Sequence, residues 1–234
     1  MKNRILSLSA AFIFCLGLTS CLEVFETAHF NKNGSGTMEI KSDYSKLVEM
    51  MGAFSQTAES DEPEEASITE KLKETFDAQA EQLKNVEGIS GVSIQYDDEK
   101  NYSVLKYNFS SIDALNRAMN SSDENSLMAG MSGTKSSAEN GFTPFEMKKG
   151  TLYRNFNKTP LSTENEEDAQ NLEMAKSMLG EAKYHFNYTF EGKASKSSSK
   201  IITVTPDKKG VSGAISFVEL MELQDKMSFT VKVK

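Results

Sequence analysis

The strongest pattern in the chain is a two-residue alternation in its last third, where Tyr184, Phe186, Tyr188 and Phe190 interleave with His185, Asn187, Thr189 and Glu191. Side chains on a strand point to opposite faces in turn, so this run predicts a strand with one aromatic and one polar face. Ile202 with Val204, the stretch Val211 to Phe217, and Met227, Phe229, Val231 and Val233 predict three more strands, with a turn over Pro206 to Gly210. Nearer the start, residues 22 to 41 read as a hairpin. Val24 and Phe25 open it, Asn31-Lys32-Asn33-Gly34-Ser35-Gly36 has turn chemistry, and Met38 and Ile40 resume the alternation. Val92, Ile94 and Tyr96, the polar turn Asp97 to Asn101, then Leu105, Tyr107 and Phe109 predict a two-stranded meander. Phe142 to Phe156 predicts a hairpin around Lys148-Lys149-Gly150.

Elsewhere the apolar spacing lengthens to three and four residues. Ser67 to Glu70 forms a capping box, and Ile68, Leu72, Phe76, Ala80, Leu83 and Val86 make one stripe, so a long helix is expected there. A second capping box at Thr163 to Glu166, followed by Leu172, Ala175 and Leu179, predicts another long helix ending at Gly180. Shorter helices are expected from Tyr44 to Met51, capped by Ser42 or Asp43, and around Ile112, Leu115, Ala118 and Met119. Residues 58–66 place five carboxylates around Pro63 and read as an acidic linker. Residues 121–141, rich in Ser and Gly, read as a flexible loop whose Leu127, Met128 and Met131 either fold back or meet an apolar partner. Strands joined by short polar turns favour antiparallel pairing. The expected fold is therefore α+β: a twisted antiparallel sheet covered on one face by two longer helices.

One segment fits neither pattern. Lys2 and Arg4 precede an apolar stretch from Ile5 to Leu18, and Thr19-Ser20 then leads to Cys21. This is the layout of a secretory signal, and the stretch is short for a membrane span, which needs about 20 apolar residues. Leu18-Thr19-Ser20-Cys21 resembles the lipobox of bacterial lipoprotein signal peptides. The resemblance implies cleavage before Cys21, which becomes the site of lipid attachment, with diacylglyceryl and palmitate-type acyl chains. Residues 1–20 are then the signal peptide and 21–234 a single domain. Cleavage also removes Cys15, so no disulfide can form within the mature chain. Each buried CH2 contributes ~0.8 kcal/mol, so several acyl chains hold a water-soluble body on a bilayer almost permanently.

Charge narrows the partners. Losing Lys2 and Arg4 takes the formal net charge from −8 to −10. That balance argues against nucleic acid and against adhesion to anionic lipid by charge alone.

Candidate chemistry is sparse. His29 and His185, the two histidines, are too far apart in sequence for a metal-ligand spacing such as His-Glu-x-x-His, so no metal site is expected. The mature sequence has no glycine-rich phosphate loop and no Gly-x-Ser-x-Gly elbow, and Asn31 to Gly36 lacks the carboxylates of a calcium loop. The sequence therefore points to no cofactor and no enzyme activity. The aromatic strand has two readings. Tyr184, Phe186, Tyr188 and Phe190 either pack beneath the helices or form an open face for a glycan or peptide.

His29-Phe30-Asn31-Lys32-Asn33-Gly34-Ser35-Gly36-Thr37, with Met38-Glu39-Ile40 after it, resembles the first hairpin of uncharacterised envelope lipoproteins of Bacteroidota. The likeness extends to the short helix that follows and to Tyr184–Phe190 with Glu191-Gly192. It implies a sheet-rich envelope lipoprotein and carries no catalytic residue. The expected function is that of a noncatalytic lipoprotein of the bacterial envelope, on the outer membrane. Held to the membrane by its N-terminal lipid, it would bind or support another envelope component, such as an envelope protein. The alternative is a lipoprotein that binds a glycan, peptide or small solute.

Overall fold

The alternation at residues 22–30 becomes the central strand of the molecule. A computed structural model describes residues 22–49, 64–122, 143–156, 182–222 and 228–234, together with Gln170, Glu173, Lys176 and Gly180. In β1, Glu23–Phe30, the side chains of Val24, Glu26, Ala28 and Phe30 are buried, while those between them face outward. β2, Gly36–Asp43, returns antiparallel through the predicted turn, with Phe30 opposite Gly36. Gly36 is required by close approach. A Cβ there would stand 1.9 Å from the His29 carbonyl oxygen and 2.5 Å from Phe109 Cζ.

β3, Ile89–Asp97, and β4, Tyr102–Phe109, form the meander, with β4 against β2. On the other side of β1 lies the aromatic strand, β7, Lys183–Phe190, and this pairing is parallel. β10, Gly210–Ser216, and β9, Ile202–Val204, complete a seven-stranded sheet of order β3-β4-β2-β1-β7-β10-β9. A second sheet of four strands has the order β5-β6-β11-β8. Its members are β5, Phe145–Lys148; β6, Thr151–Arg154; β8, Ala194–Ser197; and β11, Phe229–Val233.

Both the small sheet and the helices cover the inner face of the large sheet. Helix α1, Glu64–Lys84, buries Leu72, Phe76, Ala80 and Leu83, the stripe read from sequence. Burying a ring such as Phe76 contributes about 1.5–3 kcal/mol. Helix α2, Ile112–Ser122, buries Ala114, Leu115 and Ala118. Over β1 and β7, Phe145, Leu152, Phe229 and Val231 of the small sheet join Phe30, Phe186, Tyr188 and Phe190 in one core. Contacts such as Phe30–Phe145 at 5.8 Å and Phe186–Phe229 at 5.7 Å lie in the range where tilted ring pairs attract.

The α+β class holds, and besides the parallel β1–β7 pairing within an otherwise antiparallel sheet the arrangement differs from expectation in four places. First, the covering layer includes a second sheet: β8 carries no apolar alternation and owes its place to pairing with β11. Second, the last residues of the predicted linker, 64 to 66, belong to α1. Carboxylates suit the first turn of a helix as well as they suit a wet linker, because the dipole favours negative charge there. Third, Ser121 and Ser122 extend α2 into the predicted loop. Fourth, Phe217 begins helix α3, Phe217–Glu222, instead of continuing its strand. Ser216 Oγ accepts from the Glu219 amide at 3.0 Å and the Glu219 carboxylate accepts from the Ser216 amide at 3.1 Å, a capping box that stops the strand.

Asp43 caps the short helix 45–49, accepting from the Ser45 amide at 3.2 Å. Of the second long helix, Gln170, Glu173 and Lys176 are helical and the Gly180 amide donates to the Lys176 carbonyl at 2.9 Å; its other positions lie outside the described residues, as do Met50, Met51, 58–63 and 123–141.

Candidate functional site

The parallel register of β1 and β7 builds a polar cluster inside the core. Glu26 lies opposite Phe186, so Tyr184 and Tyr188 flank it from the neighbouring strand on the same face. Both phenols donate to its carboxylate, Tyr184 to Oε2 and Tyr188 to Oε1. The third donor comes from the small sheet. Arg154, at the end of β6, donates from Nη2 to Glu26 Oε2 at 3.2 Å and from Nε to the Tyr188 hydroxyl at 3.2 Å. Its Nη1 donates to the Asn155 carbonyl at 2.7 Å. Phe145 and Phe156 lie 4.6 and 4.4 Å from the guanidinium carbon, close enough for cation–π attraction.

Glu26 is fully buried and Arg154 is 4% exposed. Taking either charge out of water costs several kcal/mol, which their attraction offsets only when the remaining polar atoms are also bonded. That condition is met here by three donors on one carboxylate. Burial and then the Glu26 charge hold the Tyr184 and Tyr188 hydroxyls well above the ordinary tyrosine range. Burial alone would pull the Arg154 guanidinium down, but Glu26 and the two tyrosines outweigh it and the net direction is up. The cluster is thus a buried ion pair with two protonated phenols, of which Tyr184 is half-buried, and it ties the two sheets together.

The aromatic strand resolves into core. Phe186, Tyr188 and Phe190 are buried and Tyr184 is half-buried against Phe217, so the open aromatic face considered as a ligand contact is not formed. The histidines stand apart from the cluster on the outer face. His29 Nδ1 lies 2.9 Å from Thr189 Oγ1, and His185 stacks on Phe25 at 4.4 Å with its Nε2 3.8 Å from Glu23 Oε2. Among the described residues no group of three His, Cys, Asp or Glu side chains could hold a metal, and no helix is long and apolar enough to cross a membrane. Cys21 lies outside the described residues, but Leu22 beside it is buried and β1 starts at Glu23.

Glu26 and Arg154 were not read as site residues from the sequence. A signal did exist. Each is a lone charge in the inward register of its strand, Glu26 between Val24 and Ala28, and Arg154 between Leu152 and Phe156.

No protein-family model matches the chain, and no curated protein matches it. Among solved structures, the folded domain of the LppM protein of Mycobacterium tuberculosis is similar in shape, with a TM-score of 0.41 and 9% identity over 91% of this chain and 90% of that one. A likeness this distant assigns neither family nor activity.

Proposed function

We propose that this protein is a noncatalytic lipoprotein of the bacterial envelope, anchored through lipid on Cys21, whose body binds or supports another envelope component. The observation that carries the reading is the junction at Cys21. The lipobox-like Leu18-Thr19-Ser20-Cys21 is followed at once by a buried Leu22 and the first residue of β1, so no stalk separates the expected lipid site from that strand. A body joined to its anchor without a stalk sits close against the bilayer. The noncatalytic part of the reading draws support from the interior cluster, whose charges bond each other instead of facing a substrate. The outer membrane is the proposed site, in keeping with the hairpin likeness to Bacteroidota envelope lipoproteins.

The intact mass of the native protein from its source membranes tests the anchor. The expected mass is that of residues 21–234 plus acyl chains, and Cys21→Ser should move the protein from the membrane to the soluble fraction. A native chain that keeps residues 1–20, or begins at a bare Cys21, overturns the reading.

A further inference from the structure

The chain is acidic overall, yet one face of it is basic. The outward side chains of the small sheet line up in rows across its strands. The registers Lys148 to Thr151, Thr151 to Lys232 and Lys232 to Lys196 make one row that crosses all four strands. Lys148, Lys232 and Lys196 are exposed. The next row holds Glu146, Tyr153 and Thr230, and Ser198 closes it, its amide donating to the Thr230 carbonyl and its hydroxyl accepting from the Thr230 amide. Past the lysine row, the Val233 amide donates to Gly150, and Lys193 and Lys234 exchange two backbone bonds, which brings exposed Lys149, Lys193 and Lys234 to the same edge. Glu146 is the one carboxylate among these positions, and it pairs with Lys148.

This arrangement is unfavourable for the protein alone. Like charges directly opposite each other on neighbouring strands destabilise a sheet, and Lys196 faces Lys232 in that way. A ligand of opposite charge removes the repulsion. The chemistry between the lysines narrows the ligand. Thr151 sits within the lysine row, one strand spacing of about 4.8 Å from its neighbours, and the partly exposed ring of Tyr153 with the hydroxyls of Thr230 and Ser198 forms the row beside it. A lysine row beside a row of hydroxyls and one ring complements a polymer that carries negative charges, hydroxyls and apolar ring faces together. An acidic peptide lacks the dense hydroxyls, and the ammonium groups, being point charges, lack the bidentate fork that arginine gives for phosphate.

We propose that the outer face of the four-stranded sheet binds an acidic polysaccharide, with Lys196 and Lys232 as the charge contacts and Tyr153 as the stacking platform. This deepens the binding reading above by naming the component, and it stands apart from the anchor, which the intact mass decides separately. The test is binding of the full chain to polygalacturonate at physiological salt, with neutral dextran, poly-glutamate and anionic phospholipid vesicles as comparison probes. The expected result is binding to polygalacturonate alone, weakened at least about tenfold by Lys196→Gln with Lys232→Gln and severalfold by Tyr153→Ala. Relieving the lysine pair leaves the thermal midpoint unchanged or higher, so a loss of binding in that variant is not a loss of fold. No binding to polygalacturonate, an unchanged affinity in the double variant, or equal affinity for poly-glutamate or vesicles overturns the proposal.

Discussion

Glu26 and Arg154 show how far a single residue can depart from the rule of its element. Each occupies an inward position that an apolar side chain would fill, and each is tolerated because its partner is fixed on the opposite sheet. Arg154→Met removes the partner and leaves a buried carboxylate with two phenols, so it is expected to cost about 3–5 kcal/mol in denaturant unfolding. Glu26→Gln on top of Arg154→Met removes the uncompensated charge and should recover most of that loss. If the double variant is as unstable as the single, the cluster owes its stability to the shape of Arg154 and not to its charge. These positions escaped the sequence reading because a charge in a strand is normally assigned to the wet face. The partners are 128 residues apart, and only the fold brings them together.

Among the elements, those whose period is local were legible and those that depend on a distant neighbour were not. The β1–β2 hairpin, the β3–β4 meander, the aromatic strand and the stripe of α1 all carry their own apolar pattern. β8 has the sequence Ala-Ser-Lys-Ser and becomes a strand only because β11 offers an edge. The end of β10 was misread for another reason: Ile215, Phe217 and Val218 look strand-like, while Ser216 and Glu219 carry the helix-start signal. Ser216→Ala takes away the side chain that bonds the Glu219 amide and should cost about 1 kcal/mol. Because Phe217 packs with Leu22 and Val24, the loss should appear as faster hydrogen exchange in α3 and at the beginning of β1. Exchange unchanged in both would show that packing alone sets the helix start.

For the whole molecule, the two sheets are joined by one core, and tyrosine ionisation reports on it. Five of the seven tyrosines, Tyr44, Tyr96, Tyr107, Tyr184 and Tyr188, are held above their ordinary range, chiefly by burial, with Tyr44 pushed up to about 12. In the unfolded chain these groups ionise near about 10. A folded pKa above the unfolded one means that their contribution is complete below about pH 10 and is lost as the pH climbs beyond it. Stability should therefore fall steeply in alkali, and the phenolate absorbance of the buried tyrosines should appear together with loss of the sheet signal in circular dichroism. Phenolate formation by these five near pH 10 in a folded protein would contradict the closed interior. The parallel pairing of β1 with β7 also sets an order of events. The strand synthesised first finds its second neighbour only after residue 183 has arrived, and long-range closures of this kind are slow. While the chain is being made, β1 must wait for most of it to follow. Its inward Glu26 then serves as a guard, because a charge on that face makes the half-finished edge a poor template for stray strands until Arg154 and the two phenols come to meet it.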